Sequence, residues 1–406
     1  MFAFIHLYDP HSPYERALPG AAEPSYDGEL AYVDGALGRF RSTLGADPRW
    51  RGALTVVTSD HGEGLGDHDE RTHCVFVYDS TLRVPLLIHW PGVLEPRRLA
   101  APVGIVDLVP TLLDLAGLPP LDGLDGVSLE DQVRRGTPIP RRDLYFESLF
   151  GELRFGWAPL RGVRRGTAKY VRAPRPELYD LGSDPGERHN RWSAARDEGT
   201  DLEERLRQVG EDAASRIALD EDTARALRSL GYVSAPPAES GASHDLPDPK
   251  DRIRVYEEFQ RAHEEALARR FDEALALMAR LEPSLHRSPY FYLEWGNFAA
   301  HAERWPLAIA CYEKCLVLDE SNPDALLNLG VAFDKTASPD KARAHLEALL
   351  APDPDHVEGR LYYGVILYRN FRDLEGARRQ FTRFLELAPD HASAPEIRRI
   401  LAGMPP

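Results

Sequence analysis

One short segment combines the residue types of a metal or catalytic site. The run from Thr55 to Glu63 reads TVVTSDHGE, an apolar strand that ends in Asp60, His61 and Gly62. Ligand sites in α/β sheets form at the carboxyl ends of strands. A carboxylate beside an imidazole suits Zn²⁺ or Mn²⁺, and the glycine lets the chain turn so that both side chains can face one ion. On this tripeptide alone, a strand-ending turn with a capping aspartate remains an open alternative.

Histidines gather around this segment. Of the 14 in the chain, five lie in two short stretches, at positions 6, 11, 61, 68 and 73. Clustered His and Asp near strand ends are a signature of a metal or catalytic site. His68 is a candidate for the residues that orient the ligands. For His11 and His73, the competing interpretation is a structural histidine beside the site.

The surrounding sequence predicts the elements that position these residues. Leu54–Ser59 and Val84–Trp90 are continuous apolar runs, typical of strands buried on both faces of a parallel sheet. Glu29–Leu44 and Ile105–Ala116 have helical patterns. Such alternation indicates an α/β sheet covered by helices. Met1–Leu7 reads as a further buried strand that begins at once.

After residue 160 the pattern changes. Residues 160–180 contain short apolar runs with Gly and Pro turns, which predicts a small antiparallel sheet. A helical pattern follows from 201 to about 230. Residues 234–250, SAPPAESGASHDLPDPK, lack periodicity and read as a linker.

The last region is a repeat. Gly296, Gly330 and Gly364 are spaced by 34 residues, and a series of alanines at 274, 308, 342 and 377 follows nearly the same period. Small residues at this period, where two helices approach closely, are typical of the tetratricopeptide repeat (TPR). Three full repeats and a partial leading one are visible, and we expect four or more helix pairs joined by short turns near Pro323, Pro354 and Pro389.

The composition of the chain argues against some classes of partner. The formal net charge is −16, which disfavours nucleic acid and anionic membranes as partners because both need a basic face. No apolar run reaches the ~20 residues of a membrane span. Three cysteines are too few for a disulfide framework. Cys311 and Cys315, one helical turn apart, read as small core residues.

Several motifs together resemble the second half of a sulfatase of the alkaline-phosphatase superfamily. They are HLYDPHSPY, TSDHGEGLGDH with a later TH, YDSTLRVPLLIHWPG, VDLVPTLLDLAG and ELYDLGSDPGERHN, in the order of the family. The resemblance covers residues 1 to about 233. It implies an α/β sulfatase-like partial sheet with a small antiparallel subdomain, followed here by the all-α TPR solenoid.

The resemblance also implies roles for single residues. Asp60 and His61 match the second pair of metal ligands of the family, where Asp-Asn is common and binds calcium. The Asp-His version is similar to relatives that hydrolyse phosphonates or phosphate diesters with zinc or manganese. His11 matches a histidine that contacts the sulfuryl or phosphoryl oxygens, and His73 matches a Lys or His that contacts the substrate or leaving group. The expected cofactor is therefore a divalent ion, calcium, zinc or manganese.

One departure from the family stands out. Family members carry Cys-x-Pro-x-Arg or Ser-x-Pro-x-Arg, whose first residue becomes the formylglycine nucleophile, and no segment of this sequence matches either pattern. The first pair of metal ligands is also missing. We therefore expect a fragment of a complete hydrolase of sulfate, phosphate or phosphonate esters. The alternative is a catalytically inactive remnant that serves as a TPR scaffold.

The predicted organisation follows from these observations. Residues 1–233 form the hydrolase domain, 234–250 the linker and 251–406 the TPR domain. The expected partners are a small anionic ester in the first domain and a protein or peptide in the TPR groove. Family habit suggests export, with the periplasm of a bacterium as one destination, but the sequence leaves localisation open.

Overall fold

The computed structural model describes residues 2–214 and 246–405. These residues divide into two compact units. The described parts of 1–148 and 160–218 form a mixed α/β unit, and those of 149–159 and 219–406 form a helical unit. Most of the predicted linker, and the boundaries predicted at 233 and 250, fall in or next to residues outside the description and stay predictions.

The mixed unit contains two separate antiparallel sheets. Helix α1 spans Tyr26–Ala46 and begins where the Ser25 hydroxyl accepts the Gly28 amide. Strands β1 (Thr55–Thr58) and β2 (Leu86–His89) form the first sheet. Short helices follow in the order α2 (Asp79–Leu82), α3 (Leu108–Leu115) and α4 (Glu130–Arg135). The helices predicted at 29–44 and 105–116 are thus confirmed, except that Ile105–Asp107 form a single 3₁₀ turn.

The parallel pairing expected for the first two strands is wrong. β1 and β2 run antiparallel, with Thr55 opposite His89 and Thr58 opposite Leu86. A parallel pair needs a crossover connection, usually a long helix. Between these strands lie only a 3₁₀ turn at Asp67–Asp69 and the four residues of α2.

The buried strand expected at the start of the chain is also wrong. Residues 2–7 form no regular element, and Phe2 and Phe4 are 83% and 81% exposed. Within the described residues no strand pairs with this segment. Its apolar side chains are therefore largely exposed.

The second sheet confirms the predicted antiparallel subdomain and adds one strand. β3 (Asp143–Ser148), β4 (Leu160–Arg165), β5 (Ala168–Arg172) and β6 (Glu177–Asp180) form a meander in that order. Helix α6 (Arg196–Ala214) covers it. The core between them is apolar and is made of Val163, Ala168, Tyr170, Leu178, Leu202 and Leu206.

All regular elements described after residue 246 are helical, as predicted. A short 3₁₀ turn, Pro249–Asp251, leads into them. Four antiparallel pairs follow, namely α7 (Ile253–Leu267) with α8 (Phe271–Leu285), α9 (Pro289–His301) with α10 (Trp305–Leu318), α11 (Pro323–Lys335) with α12 (Pro339–Leu350), and α13 (Val357–Ile366) with α14 (Leu374–Leu387). Helix α15 (Ala394–Gly403) comes last. The leading repeat, only part of which is visible in the sequence, is a whole helix pair, in agreement with the expected four or more pairs.

The periodic glycines lie where paired helices touch. A Cβ atom at Gly296 would be 2.4 Å from the ring of Tyr312, and one at Gly330 would be 2.8 Å from Leu346 Cγ. The periodic alanines of the second helices are fully buried. The 34-residue spacing therefore records the close contact of the two helices within each repeat.

The connection between β3 and β4 belongs to the helical unit. It contains helix α5 (Phe150–Phe155). The ring of Phe155 packs edge-on against Tyr256 and Phe259 of α7, with centroid distances of 6.2 and 5.4 Å. The Ser288 hydroxyl, which caps α9, donates to the Arg154 carbonyl at 2.5 Å. A piece of the first domain by sequence is thus part of the TPR core.

Candidate functional site

The Asp-His turn follows β1 directly. The Asp60 carboxylate accepts the His61 amide at 3.0 Å, and the Ser59 hydroxyl donates to the His61 carbonyl at 2.7 Å. Burial alone would raise the pKa of Asp60, but the neighbouring His61 and the hydrogen bonds that Asp60 accepts from the His61 amide and, at 3.4 Å, the Ser59 hydroxyl outweigh it and lower the pKa below its usual value. The carboxylate is therefore ionised at neutral pH, as a metal ligand must be.

The geometry of this pair fits one shared ion. His61 Nδ1 lies 2.8 Å from the Gly62 carbonyl, which favours the tautomer with the proton on Nδ1. Nε2 is then free to bind a metal, and it lies 3.7 Å from Asp60 Oδ2. Because metal–N and metal–O bonds are ~2.0–2.2 Å long, both atoms can reach the same ion. Within residues 2–214 and 246–405, however, no three His, Cys, Asp or Glu side chains are grouped to hold a metal.

The structure brings the other two predicted residues to the same place. The rings of His61 and His73 stack with centroids 3.9 Å apart, and the ring of His11 meets His73 edge-on at 5.7 Å. The rings of Tyr8 and His11 stack with centroids 4.8 Å apart. Residues separated by more than sixty positions therefore form one cluster. Their individual roles stay predictions.

Glu63 is a site residue to which the sequence analysis gave no role. Its side chain is only 5% exposed, and Oε1 lies 3.2 Å from His73 Nδ1. Hydrogen bonds with Cys74 and then with Glu63 raise the pKa of His73 to about 10, against the effect of burial. His73 is thus cationic at neutral pH. The signal was present, because Glu63 belongs to the TSDHGEG motif, but only the fold shows which histidine it contacts.

His68 does not join the cluster of histidines. Its ring stacks on Tyr78 with centroids 3.6 Å apart, and Nε2 lies 3.2 Å from the Gly186 carbonyl. Burial lowers the pKa of His68, so its ring is neutral at pH 7. Neither of these contacts is with Asp60 or His61, so the role of His68 in orienting the ligands stays a prediction.

The two cysteines of the helical unit have the environment of core residues. Cys311 and Cys315 are 2% and 0% exposed. Burial raises the pKa of each thiol to about 12, so both stay protonated and unreactive.

A second candidate surface is a chain of polar side chains along the first helices of successive repeats. His263 Nε2 lies 2.8 Å from a Glu294 oxygen, and Asn297 donates to the other oxygen at 3.1 Å. The Asn297 carbonyl oxygen accepts from Tyr312 at 2.9 Å and from Asn328 at 3.0 Å. Partly exposed amides in a row can bind the backbone of an extended peptide.

Comparisons with known proteins agree with both parts of the fold. Residues 1–118 match the family model Sulfatase, and residues 66–212 match the model N-sulphoglucosamine sulphohydrolase, C-terminal. Residues 293–355 and 327–392 match the tetratricopeptide repeat. The N-terminal part of the chain thus matches sulfatase-family models, and the C-terminal part carries TPR repeats.

Individual relatives are matched only in part. Arylsulfatase K of Gallus gallus is 33% identical over 207 residues, which are 46% of this chain and 38% of that protein. The Delta 4,5-hexuronate-2-O-sulfatase of Bacteroides thetaiotaomicron is 31% identical over 166 residues, 39% of this chain and 33% of that protein. The solved phosphonate monoester hydrolase SpPMH of Silicibacter pomeroyi has 26% identity and a TM-score of 0.39, covering 49% of this chain and 44% of that one. The chain thus spans less than half the length of the curated relatives it matches.

No helix within the described ranges is long and apolar enough to cross a membrane.

Proposed function

We propose that the mixed unit supplies the second metal-ligand pair and the substrate-binding histidines of a sulfatase-type ester hydrolase. The observation that carries the proposal is the convergence of His11, His61 and His73 beside Asp60. Asp60 and His61 hold a divalent ion, which is calcium, zinc or manganese. The substrate is a small anionic ester of sulfate, phosphate or phosphonate.

The chemistry requires such a cluster. Ester cleavage at sulfur or phosphorus spreads negative charge over the equatorial oxygens, and a metal ion with cationic side chains stabilises that charge. His73 contributes a fixed positive charge because its pKa is raised to about 10. Glu63 anchors Nδ1 and orients the ring. His11, whose ring stacks on Tyr8, donates to a second oxygen of the ester.

We further propose that this chain by itself turns over no ester. Covalent catalysis needs the nucleophile, and removing one from a comparable catalytic unit costs on the order of 10⁶ in turnover. No Cys-x-Pro-x-Arg or Ser-x-Pro-x-Arg occurs in the sequence. Two protein ligands would also bind an ion weakly, since sites usually have three or four.

The test is a metal titration of the purified chain combined with an ester assay. We expect weak binding of Mn²⁺ or Zn²⁺ that is lost in Asp60→Ala and kept in Asp114→Ala, an exposed carboxylate on α3. Aryl sulfate and phosphonate esters should show no turnover above background with added Zn²⁺, Mn²⁺ or Ca²⁺. Turnover that disappears in Asp60→Ala would refute the inactivity, and an unchanged titration in that variant would refute the metal role.

For the helical unit we propose a protein-binding function, which is also the function left if the mixed unit is catalytically inactive. The row of amides at Asn297 and Asn328 favours an extended peptide segment. Replacing both by alanine should weaken capture of a partner without unfolding the unit. A partner found by cross-linking that binds the double variant equally well would place the binding surface elsewhere.

A further inference from the structure

The motif ELYDLGSDPGERHN, at residues 177–190, has no part in the proposed chemistry. Its two glutamates are nevertheless almost fully buried, with Glu177 at 4% and Glu187 at 2% exposure. Burying a carboxylate is costly unless it is paired and hydrogen-bonded. The partners of these two side chains therefore indicate what the motif does.

Glu187 holds the start of helix α2. Its Oε2 accepts the Asp79 backbone amide at 2.6 Å. Its Oε1 lies 2.7 Å from the Lys169 ammonium, a charge contact rather than a directed hydrogen bond. Lys169 is fully buried and also reaches an Asp79 side-chain oxygen at 3.2 Å. Arg164 contacts the other oxygen of Asp79 at 3.1 Å. Two cations thus balance two carboxylates.

Glu177 holds the residue immediately before α2. One of its oxygens accepts the Tyr78 hydroxyl at 2.9 Å and the Tyr179 hydroxyl at 2.6 Å. Burial together with the Glu177 charge raises the pKa of Tyr78, so the phenol stays protonated at neutral pH and donates to Glu177. The two glutamates of the motif therefore hold Tyr78 and Asp79 through hydrogen bonds.

Helix α2 in turn supports the Asp-His turn. The Gly62 amide, one residue after His61, donates to the Thr81 carbonyl at 2.7 Å. A Cβ atom at Gly62 would lie 2.2 Å from the Ser80 carbonyl oxygen, so the two backbones are in direct contact. A displacement of α2 would therefore also displace Asp60 and His61.

We propose that Glu187 and Lys169 are positioning residues that clamp α2 and so fix the geometry of the Asp60–His61 turn. We call this network of Lys169, Glu187 and Asp79 the clamp. Apolar contacts alone would let a helix of four residues slide, whereas directed hydrogen bonds and ion pairs fix its register. The role of the turn in metal binding rests on the proposed function, but the mechanical link does not.

The first experiment is hydrogen exchange of the full chain, followed in the peptide that covers residues 60–66. Glu187→Ala removes the acceptor of the Asp79 amide and should raise exchange of the Gly62 amide about tenfold, the effect of losing one hydrogen bond to a charged group. The control is Leu206→Ala, which removes a core side chain from the same unit without touching the clamp. It should lower global stability and leave exchange at 60–66 nearly unchanged. Equal increases in both variants would overturn the clamp.

A second pair of variants separates charge from geometry. Glu187→Gln keeps an acceptor for the Asp79 amide and should largely restore protection at 60–66. Lys169→Met leaves the buried Glu187 carboxylate facing the partly buried Asp79 carboxylate, and its effect should match or exceed that of Glu187→Ala. The proposal is also overturned if Glu187→Gln does not restore protection at 60–66 and Lys169→Met raises exchange less than Glu187→Ala does.

Titration with Mn²⁺ alone distinguishes this inference from the proposed function. If the wild-type chain binds Mn²⁺, Glu187→Ala should weaken binding several-fold while Leu206→Ala should not. If the wild-type chain binds no Mn²⁺, the metal role of the turn fails, and the exchange results still decide the clamp.

Discussion

Replacing Gly296 by alanine tests the close contact that defines the TPR repeat. The added methyl group would lie 2.4 Å from Cε1 of Tyr312, where ordinary contacts begin at 3.4 Å, so the two must separate by about 1 Å. The ring has little freedom to move. It is 1% exposed, and its hydroxyl is tied to Asn297 at 2.9 Å.

The expected change in the free energy of unfolding is the sum of three contributions. Overpacking of this kind costs ~1–3 kcal/mol, and loss of the Tyr312 hydrogen bond costs ~1 kcal/mol. Alanine in a helix interior recovers ~1 kcal/mol relative to glycine. The free energy of unfolding of the helical unit should therefore fall by ~1–3 kcal/mol. Gly330→Ala should cost less, because its methyl group would be 2.8 Å from Leu346, an aliphatic side chain that can rotate away.

The assay is urea unfolding of the full chain, followed by far-ultraviolet circular dichroism. Gly403→Ala is the matched control, because no heavy atom lies within 4 Å of the added methyl group, and it should leave the helical transition unchanged or slightly stabilised. If Gly296→Ala is as stable as this control, the helices are not in contact at the glycine and the explanation of the period is refuted.

Three further predictions concern other parts of the chain. The pKa of His73 is raised from 6.5 to about 10. The contribution of this histidine to stability is therefore complete below pH 6.5 and is lost as pH rises through about 10. Thermal melts should show this loss of stability, and Glu63→Gln should make the loss smaller. Phe155→Ala should destabilise the helical unit by ~3–5 kcal/mol in the same urea assay, because a buried aromatic is removed, and a loss below ~1 kcal/mol would contradict the packing of α5. Asp107 is fully buried, paired with an arginine and accepts two backbone amides, so Asp107→Asn should cost ~3–5 kcal/mol. The control is Asp131→Asn, which removes one charge of the exposed Asp131–Arg135 ion pair and should cost under ~1 kcal/mol.

Sequence patterns predicted the features that depend on residues close together along the chain. The helix at 26–46 and the repeat period both follow from the spacing of small and apolar residues along a single element. The orientation of β1 and β2 did not follow, because an apolar run looks alike in parallel and antiparallel sheets. The difference lay in the connection, which holds no long crossover helix.

The same limit applies to the site. Asp60 and His61 are adjacent in sequence and could be recognised together, and the motif order pointed to His11 and His73. Lys169 could not be connected with its partners, because it lies ninety residues from Asp79 and its environment depends on how β5 packs. Long-range pairs of buried charges have no periodicity that a single sequence can reveal.

The packing of α5 bears on how such a protein could have been assembled in evolution. The chain enters the helical unit after residue 148, returns to the mixed unit at residue 160 and enters the helical unit again beyond residue 214. A gene fusion that joined a ready-made repeat array to the end of a hydrolase would provide only the last of these passages. Such a fusion would not by itself provide the complementary aromatic surfaces of α5 and of the first repeat. Exchange of the array for one from another protein would leave Phe155 without its complementary surface, so the two halves of the gene are not freely interchangeable modules.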